Sequence, residues 1–243
     1  MELSKKRKIT SLILKLIVIA SAIVGTIISY NSTNEFMSGS QVFMYFTIQS
    51  NLLIALVCLI GICLILSKKK ANNIWFIIKL VSTISITLTG LVFCFVLAPT
   101  LGANAWNLAN ILTHVIVPIC AIIDFFIIGL DSNYKKIHVL FVTIPPLLYA
   151  IYAGIGYANN WQFSKDANYP YFFLNWGSKA GAFGFANELP FMGVMYWIIL
   201  LLLLLIGLGF LYLKIIKILK KKYIKEDWFN SIFFIFKKKY RQK

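Results

Sequence analysis

The chain has 243 residues, of which 60% are hydrophobic and 13% charged, with a formal net charge of +16. Soluble domains are about 45–50% apolar and about 25% charged, so an ordinary soluble fold is excluded, and the apolar surplus also excludes disorder. What remains is an all-α polytopic membrane protein. Its positive charge sits at the ends of apolar runs, which points to anionic lipid headgroups and not to nucleic acid.

Apolar runs of about 20 residues predict six spans, over 10–30, 42–66, 74–98, 105–129, 137–158 and 189–213. Each must be helical, because hydrocarbon offers no partner for free backbone groups. Residues 1–213 therefore read as a six-helix transmembrane domain, and residues 214–243 as a basic cytoplasmic tail. The first span opens after Lys5, Lys6, Arg7 and Lys8. Its Ala20-Ser21-Ala22 resembles a signal-peptide cleavage site, but the apolar run continues to Ile28, which predicts a retained span. Lys68–Lys70 follow the second span, Lys135 and Lys136 the fourth, and eleven Lys/Arg lie from Lys214 onward. The opposite loops hold only Lys165 and Lys179, so the positive-inside rule places both termini in the cytoplasm.

The second span carries Thr47, Ser50 and Asn51 at i, i+3 and i+4, on one helical face, with Gln49 beside them. Counted from the start of the span at about 1.5 Å per residue, Thr47 lies roughly 9 Å below the external end. Such groups face protein or water, either as a site or as glue between helices. The fourth span places Asn107, Asn110 and His114 at i, i+3 and i+7, with His114 about 14 Å from the external end, a depth that lets it meet Thr47. Asn110 is one turn from the imidazole and can orient it. Asp124, the only acidic side chain within a span, lies about 15 Å further along the axis and about 280° around it. That rules out a simple dyad with His114. Lys79 or Lys135 is the expected partner for Asp124.

His138 opens the fifth span and reads as interfacial, while Pro118, Pro145 and Pro146 mark kinks in spans four and five. The external segment 159–188, rich in Trp, Tyr and Phe, reads either as an aromatic belt at the headgroup level or as a loop long enough to fold over the mouth of a bundle. In the tail, Trp228-Phe229 and the run 232–236 alternate with basic clusters, as in a segment lying on the inner leaflet. Cys58, Cys63, Cys94 and Cys120 sit inside apolar runs as small hydrophobes. Two histidines 24 residues apart give no zinc spacing, and there is no Gly-rich phosphate loop and no G-x-S-x-G elbow. The sequence thus calls for no metal and no cofactor.

Three segments together resemble one family: Tyr45-Phe46-Thr47-Ile48-Gln49-Ser50-Asn51-Leu52, Leu112-Thr113-His114-Val115-Ile116-Val117-Pro118, and Tyr169-Pro170-Tyr171-Phe172-Phe173-Leu174. In order and placement they are similar to the androgen-induced and androgen-dependent membrane hydrolases, above all to bacterial integral membrane relatives of that family. The resemblance implies a multi-pass protein of a bacterial cell membrane. It also implies a threonine hydrolase acting on fatty acid esters of hydroxy fatty acids, with Thr47 as nucleophile and His114 as base. The chain departs from the animal pattern in its polar run Gln49-Ser50-Asn51, and it has Trp161 and Gln162 where the animal members carry paired histidines.

The chemistry stands on its own terms. A threonine hydroxyl needs a base within hydrogen-bond reach, and an imidazole is the side chain suited to that near neutral pH. An oxyanion donor is also needed, for which Asn110, Asn51 and Gln49 are candidates; Tyr149 and Tyr152 are expected to line the pocket. Membrane lipids are the expected surroundings, a lipid ester the expected substrate, and anionic lipid the expected partner of the tail. The competing class is a non-catalytic membrane protein. It would be a transporter of small solutes or lipids using His114 and Asp124, or a structural partner.

Overall fold

The structure, a computed structural model, describes residues 4–32, 38–69 and 71–240, with side chains in the last helix described as far as Tyr223. Lys70 and the tail side chains Trp228-Phe229 and 232–236, expected on the inner leaflet, lie outside the described set. Six helices are long and apolar enough to cross a membrane: α1 (Lys5–Tyr30), α2 (Phe46–Leu66), α3 (Asn73–Trp106), α4 (Leu108–Gly129), α5 (Lys136–Ala158) and α6 (Val194–Tyr240). Of these α3 is the most enclosed, and the span-length part of α6 the least.

Capping and proline fix where the helices begin and change pitch. The Ser4 hydroxyl accepts from the Arg7 amide to start α1, and Asn72 Oδ1 accepts from the Trp75 amide at 2.8 Å to start α3. The second span does not start at 42 as one helix. Residues Gly39–Met44 form a 3₁₀ turn, Tyr45 is extended, and the α-helix begins only at Phe46. Thr47 therefore sits in the first turn of α2 and not well inside it.

The third span runs past its expected end at 98. A π turn over Phe93–Leu97 leads into a short α turn, Ala98–Leu101, which has Pro99 in its opening turn, where no amide is needed. Gly102, at φ +60, then turns the chain into a 3₁₀ segment ending at Trp106. The fourth span starts at Leu108 and not 105, because Asn107 accepts from the Asn110 amide and caps it. It contains a second π turn, Leu112–Ile116, just ahead of Pro118. In α5, Pro145 and Pro146 lack the amides that would continue a helix upstream, and the segment before them is 3₁₀, Lys136–Thr143.

The bundle has two distinct ends. At one, Arg7 donates to the Ile127 carbonyl, lies 3.8 Å from Asp131 and stacks over Tyr223, while Lys220 donates to the Ser132 carbonyl. This basic end gathers the start of α1, the α4–α5 turn and the outer part of α6. At the other end, the segment from 159 to 193 folds down onto the helices. Phe163 is fully buried, Tyr45 donates to its carbonyl at 3.0 Å, and Gln41 donates to the Gln162 carbonyl. Tyr171, Phe173 and Leu174 join Tyr45, Tyr149 and Val194 in an aromatic cluster between this loop, α2, α5 and α6. Phe163 and the stretch 171–174 are therefore part of the core, while Trp161, Phe183, Phe185 and Phe191 stay exposed, as in an interfacial belt.

Glycines let α4 approach its neighbours around the second π turn. A methyl group added at Gly90 of α3 would lie 3.0 Å from the His114 carbonyl oxygen. One added at Gly25 of α1 would overlap the Thr113 methyl.

Candidate functional site

Two side chains from different helices meet at the loop end of the bundle. Thr47, in the first turn of α2, has its hydroxyl 3.3 Å from Nε2 of His114, in the π turn of α4. Both residues are buried.

The bonds on the far side of the ring fix its tautomer. His114 Nδ1 lies 3.1 Å from the Asn110 carbonyl oxygen, which can only accept. It also lies 3.0 Å from the Thr113 hydroxyl, whose own proton goes to the Ala109 carbonyl at 2.8 Å. Nδ1 therefore carries the hydrogen, and Nε2 presents its lone pair to Thr47. The Thr47 hydroxyl donates to it. Phe93, from the π turn of α3, stacks on the imidazole at 3.9 Å and 19°, and Trp106 meets Phe93 edge-on.

The hydroxyl of Tyr171 is also 3.3 Å from Thr47 Oγ1 and accepts the Thr47 backbone amide at 3.3 Å. Since the Thr47 proton is committed to His114, Tyr171 is the donor in the bond between the two hydroxyls. The result is one directed chain, from the phenol to the threonine hydroxyl to the imidazole and on to the Asn110 carbonyl. Burial pushes the Tyr171 phenol above its ordinary pKa, so it keeps its proton.

Thr47 also lines a cavity of about 70 Å³ bounded by α2, α3, α5, α6 and the loop. Its walls are almost wholly apolar, among them Leu88, Val92, Ile198, Leu201 and Leu202, and its few hydroxyls include those of Thr47, Thr89, Tyr149 and Tyr171. His114 is not on the wall. It meets the cavity through its bond to Thr47. Comparison with family models, curated proteins and solved structures gave no match.

The other expected site residues take different places. Asn51 donates to the Thr47 carbonyl at 2.8 Å and the Thr113 carbonyl at 3.1 Å, bridging α2 to α4. Ser50 bonds Thr89 at 2.8 Å and the Thr47 carbonyl at 3.0 Å, bridging α2 to α3. Gln49 is exposed, donates to the Phe43 carbonyl and, with Tyr149 and Tyr152, borders a second cleft of about 340 Å³. The Asn110 side chain donates to the Ala105 carbonyl, so its backbone and not its amide group orients the histidine. Asn107 is the helix cap described above, outside the stripe expected from helical spacing. Tyr149 also lines the cavity beside Thr47 and donates to the Met44 carbonyl.

Asp124 lies well apart from this pair. Its Oδ2 meets Lys79 at 2.5 Å, and its Oδ1 meets both Lys15 and the Ser11 hydroxyl at 2.6 Å. Lys79 was expected from the sequence and Lys15 was not. Tyr171 and Phe93 had no assigned role either. Tyr171 was visible within the Tyr-Pro-Tyr segment of the resemblance, whereas nothing in the sequence marked Phe93. Among the described residues, no group of three His, Cys, Asp or Glu is placed to hold a metal ion.

Proposed function

We propose that this protein is a membrane-embedded hydrolase of fatty acyl esters, in which Thr47 is the nucleophile and His114 the general base. The observation that carries this reading is the 3.3 Å bond from the Thr47 hydroxyl to an imidazole nitrogen whose tautomer leaves it free to accept, at the wall of an apolar chamber. His114 takes the threonine proton as the oxygen attacks the ester carbonyl. The imidazolium then returns that proton to the departing alcohol, and water repeats the sequence on the acyl-threonine. The apolar walls suit an acyl chain, and access from the lipid side needs no aqueous channel. These features agree with the resemblance to the androgen-dependent hydrolases and with a bacterial relative of that family, resident in the cell membrane.

A panel of hydroxy-fatty-acid esters and simple acyl esters tests the proposal. Thr47→Val and His114→Ala should each lower hydrolysis by at least about 10²-fold, and the double variant should be little slower than either, because members of one catalytic unit are not additive. A lipid-mimetic fluorophosphonate should label the parent and fail to label Thr47→Val. Undiminished hydrolysis by Thr47→Val would remove threonine as the nucleophile.

The charge bias further supports an orientation with both termini in the cytoplasm and the Thr47 end in the outer leaflet. A tag inserted at Asn168 should be reached by an impermeant reagent from outside intact cells, and terminal tags only after permeabilisation. A shielded Asn168 tag would reverse the orientation.

A further inference from the structure

An acyl-transfer site needs a hydrogen-bond donor for the oxygen that becomes negative when the carbonyl is attacked, and the loss of one such donor typically costs about 10²–10³ in rate. The side-chain amides nearest the pair are committed elsewhere. Asn51 spends its two N–H groups on the Thr47 and Thr113 carbonyls, Asn110 donates to Ala105, and exposed Gln49 donates to Phe43. None of these three lines the chamber that Thr47 faces.

Tyr171 does line it. Its hydroxyl is 3.3 Å from the nucleophilic oxygen, and its ring is fixed on several sides. It stacks on Phe173 with centroids 5.1 Å apart at 6°, meets Tyr45 edge-on at 5.7 Å, and lies 6.1 Å from Tyr149. The Thr47 backbone amide donates to the same phenolic oxygen, and with the Thr47 proton on His114 the phenol is the donor to Thr47 Oγ1.

We propose that Tyr171 is a catalytic residue that donates its hydroxyl hydrogen to the oxyanion formed when Thr47 attacks an ester carbonyl. This rests on the reading of Thr47 as nucleophile. At rest, the Tyr171 proton is bonded to one of the two lone pairs of Oγ1, and the other is left for attack. As His114 Nε2 takes the threonine proton, the Oγ1 electron pair forms the bond to the carbonyl carbon, and the carbonyl π pair moves onto oxygen. That oxygen and Oγ1 are now bound to one carbon, so a small rotation of the phenolic O–H carries its hydrogen bond from Oγ1 to the new anion. Collapse restores the carbonyl, breaks the bond to the alkoxide, and the proton on Nε2 passes to the leaving alcohol. Tyr171 keeps its own proton throughout. It stabilises charge and is neither acid nor base.

That distinction sets the experiment, done on the full-length protein in lipid nanodiscs. One fatty acid is supplied as an alkyl ester, whose alkoxide needs a proton to leave, and as a nitrophenyl ester, whose phenolate does not. Tyr171→Phe should lower kcat about 10²–10³-fold on both esters, with KM changed by less than about threefold. A loss confined to the alkyl ester would make Tyr171 the acid for the leaving group and overturn the assignment. Full activity in Tyr171→Phe, with Thr47→Val inactive, would overturn it while leaving the hydrolase reading intact. Absence of hydrolysis in the parent would remove both. Installing 3-fluorotyrosine at position 171 retains the ring and hydroxyl but makes the phenol more acidic. The alkaline limb of its kcat profile should move to lower pH, since a phenolate cannot donate. An unmoved limb counts against the proposal even if Tyr171→Phe fails to fold.

Discussion

Asn51 is a single side chain that holds two of the elements on which the site depends. Pro118 has no amide to give back to the preceding turn of α4, and an Asn51 N–H supplies the Thr113 carbonyl with a donor from another helix. Its second N–H goes to the Thr47 carbonyl, so the backbones beside nucleophile and base are tied through one amide group. Replacing it with leucine keeps most of the volume and leaves both carbonyls without that donor. The expected loss is about 1–2 kcal/mol of stability, read as a lower melting temperature in detergent. Turnover per folded molecule should fall about tenfold, because the Thr47–His114 distance is no longer pinned. Gln49→Leu, at an exposed position, should change neither. If Asn51→Leu melted and turned over like the parent, the amide bridge would have no part in setting the site.

At the scale of elements, what could be read from the sequence was governed by periodicity, and what could not was governed by departures from it. Among the described residues, six apolar runs of the right length appear as six long helices, the form that crossing hydrocarbon demands of a backbone. Regular spacing also put Thr47, Ser50 and Asn51 on one face, and all three do point into the protein. The fourth helix is different. An extra residue per turn at Leu112–Ile116 changes the angular position of His114 relative to Asn110, and Asn107 lies before the helix begins. The i, i+3, i+7 stripe assumed 3.6 residues per turn throughout. Pro118, four residues past His114, was the only local sign of the irregularity. The π turn of α3 carries Phe93 onto the imidazole, and that contact joins residues far apart in the chain. No pattern within either segment encodes it. The same holds for Tyr171, whose loop had the composition of an interfacial belt but which itself packs as core against α2 and α5.

Across the whole molecule, polar chemistry is divided between two ends, and the ends carry different electrostatics. The Thr47–His114 pair is assembled from uncharged groups near the folded loop. The opposite half holds Lys15 of α1, Lys79 of α3 and Asp124 of α4, all fully buried and joined by contacts of 2.5–2.6 Å. Every Asp124 oxygen is occupied, which makes this cluster a junction of three helices. Its charges do not balance: two ammonium groups share one carboxylate. Removing either partner of a buried ion pair costs about 3–5 kcal/mol when it strands the other charge. Asp124→Asn strands two, whereas Lys15→Met leaves a matched Lys79–Asp124 pair. Asp124→Asn should therefore lower the yield and melting temperature sharply, and Lys15→Met should do so by less than half as much. Turnover per folded molecule should stay within about tenfold of the parent in both, since neither touches the groups that move protons at Thr47. Fluorescence-detected size exclusion after heating gives the stability order, and ester hydrolysis on the surviving folded fraction gives the turnover. Equal damage from the two variants would show that charge excess is not what makes Asp124 indispensable. A well-folded Asp124→Asn without turnover would join the two ends of the bundle into one functional unit, as a proton-coupled transporter would require.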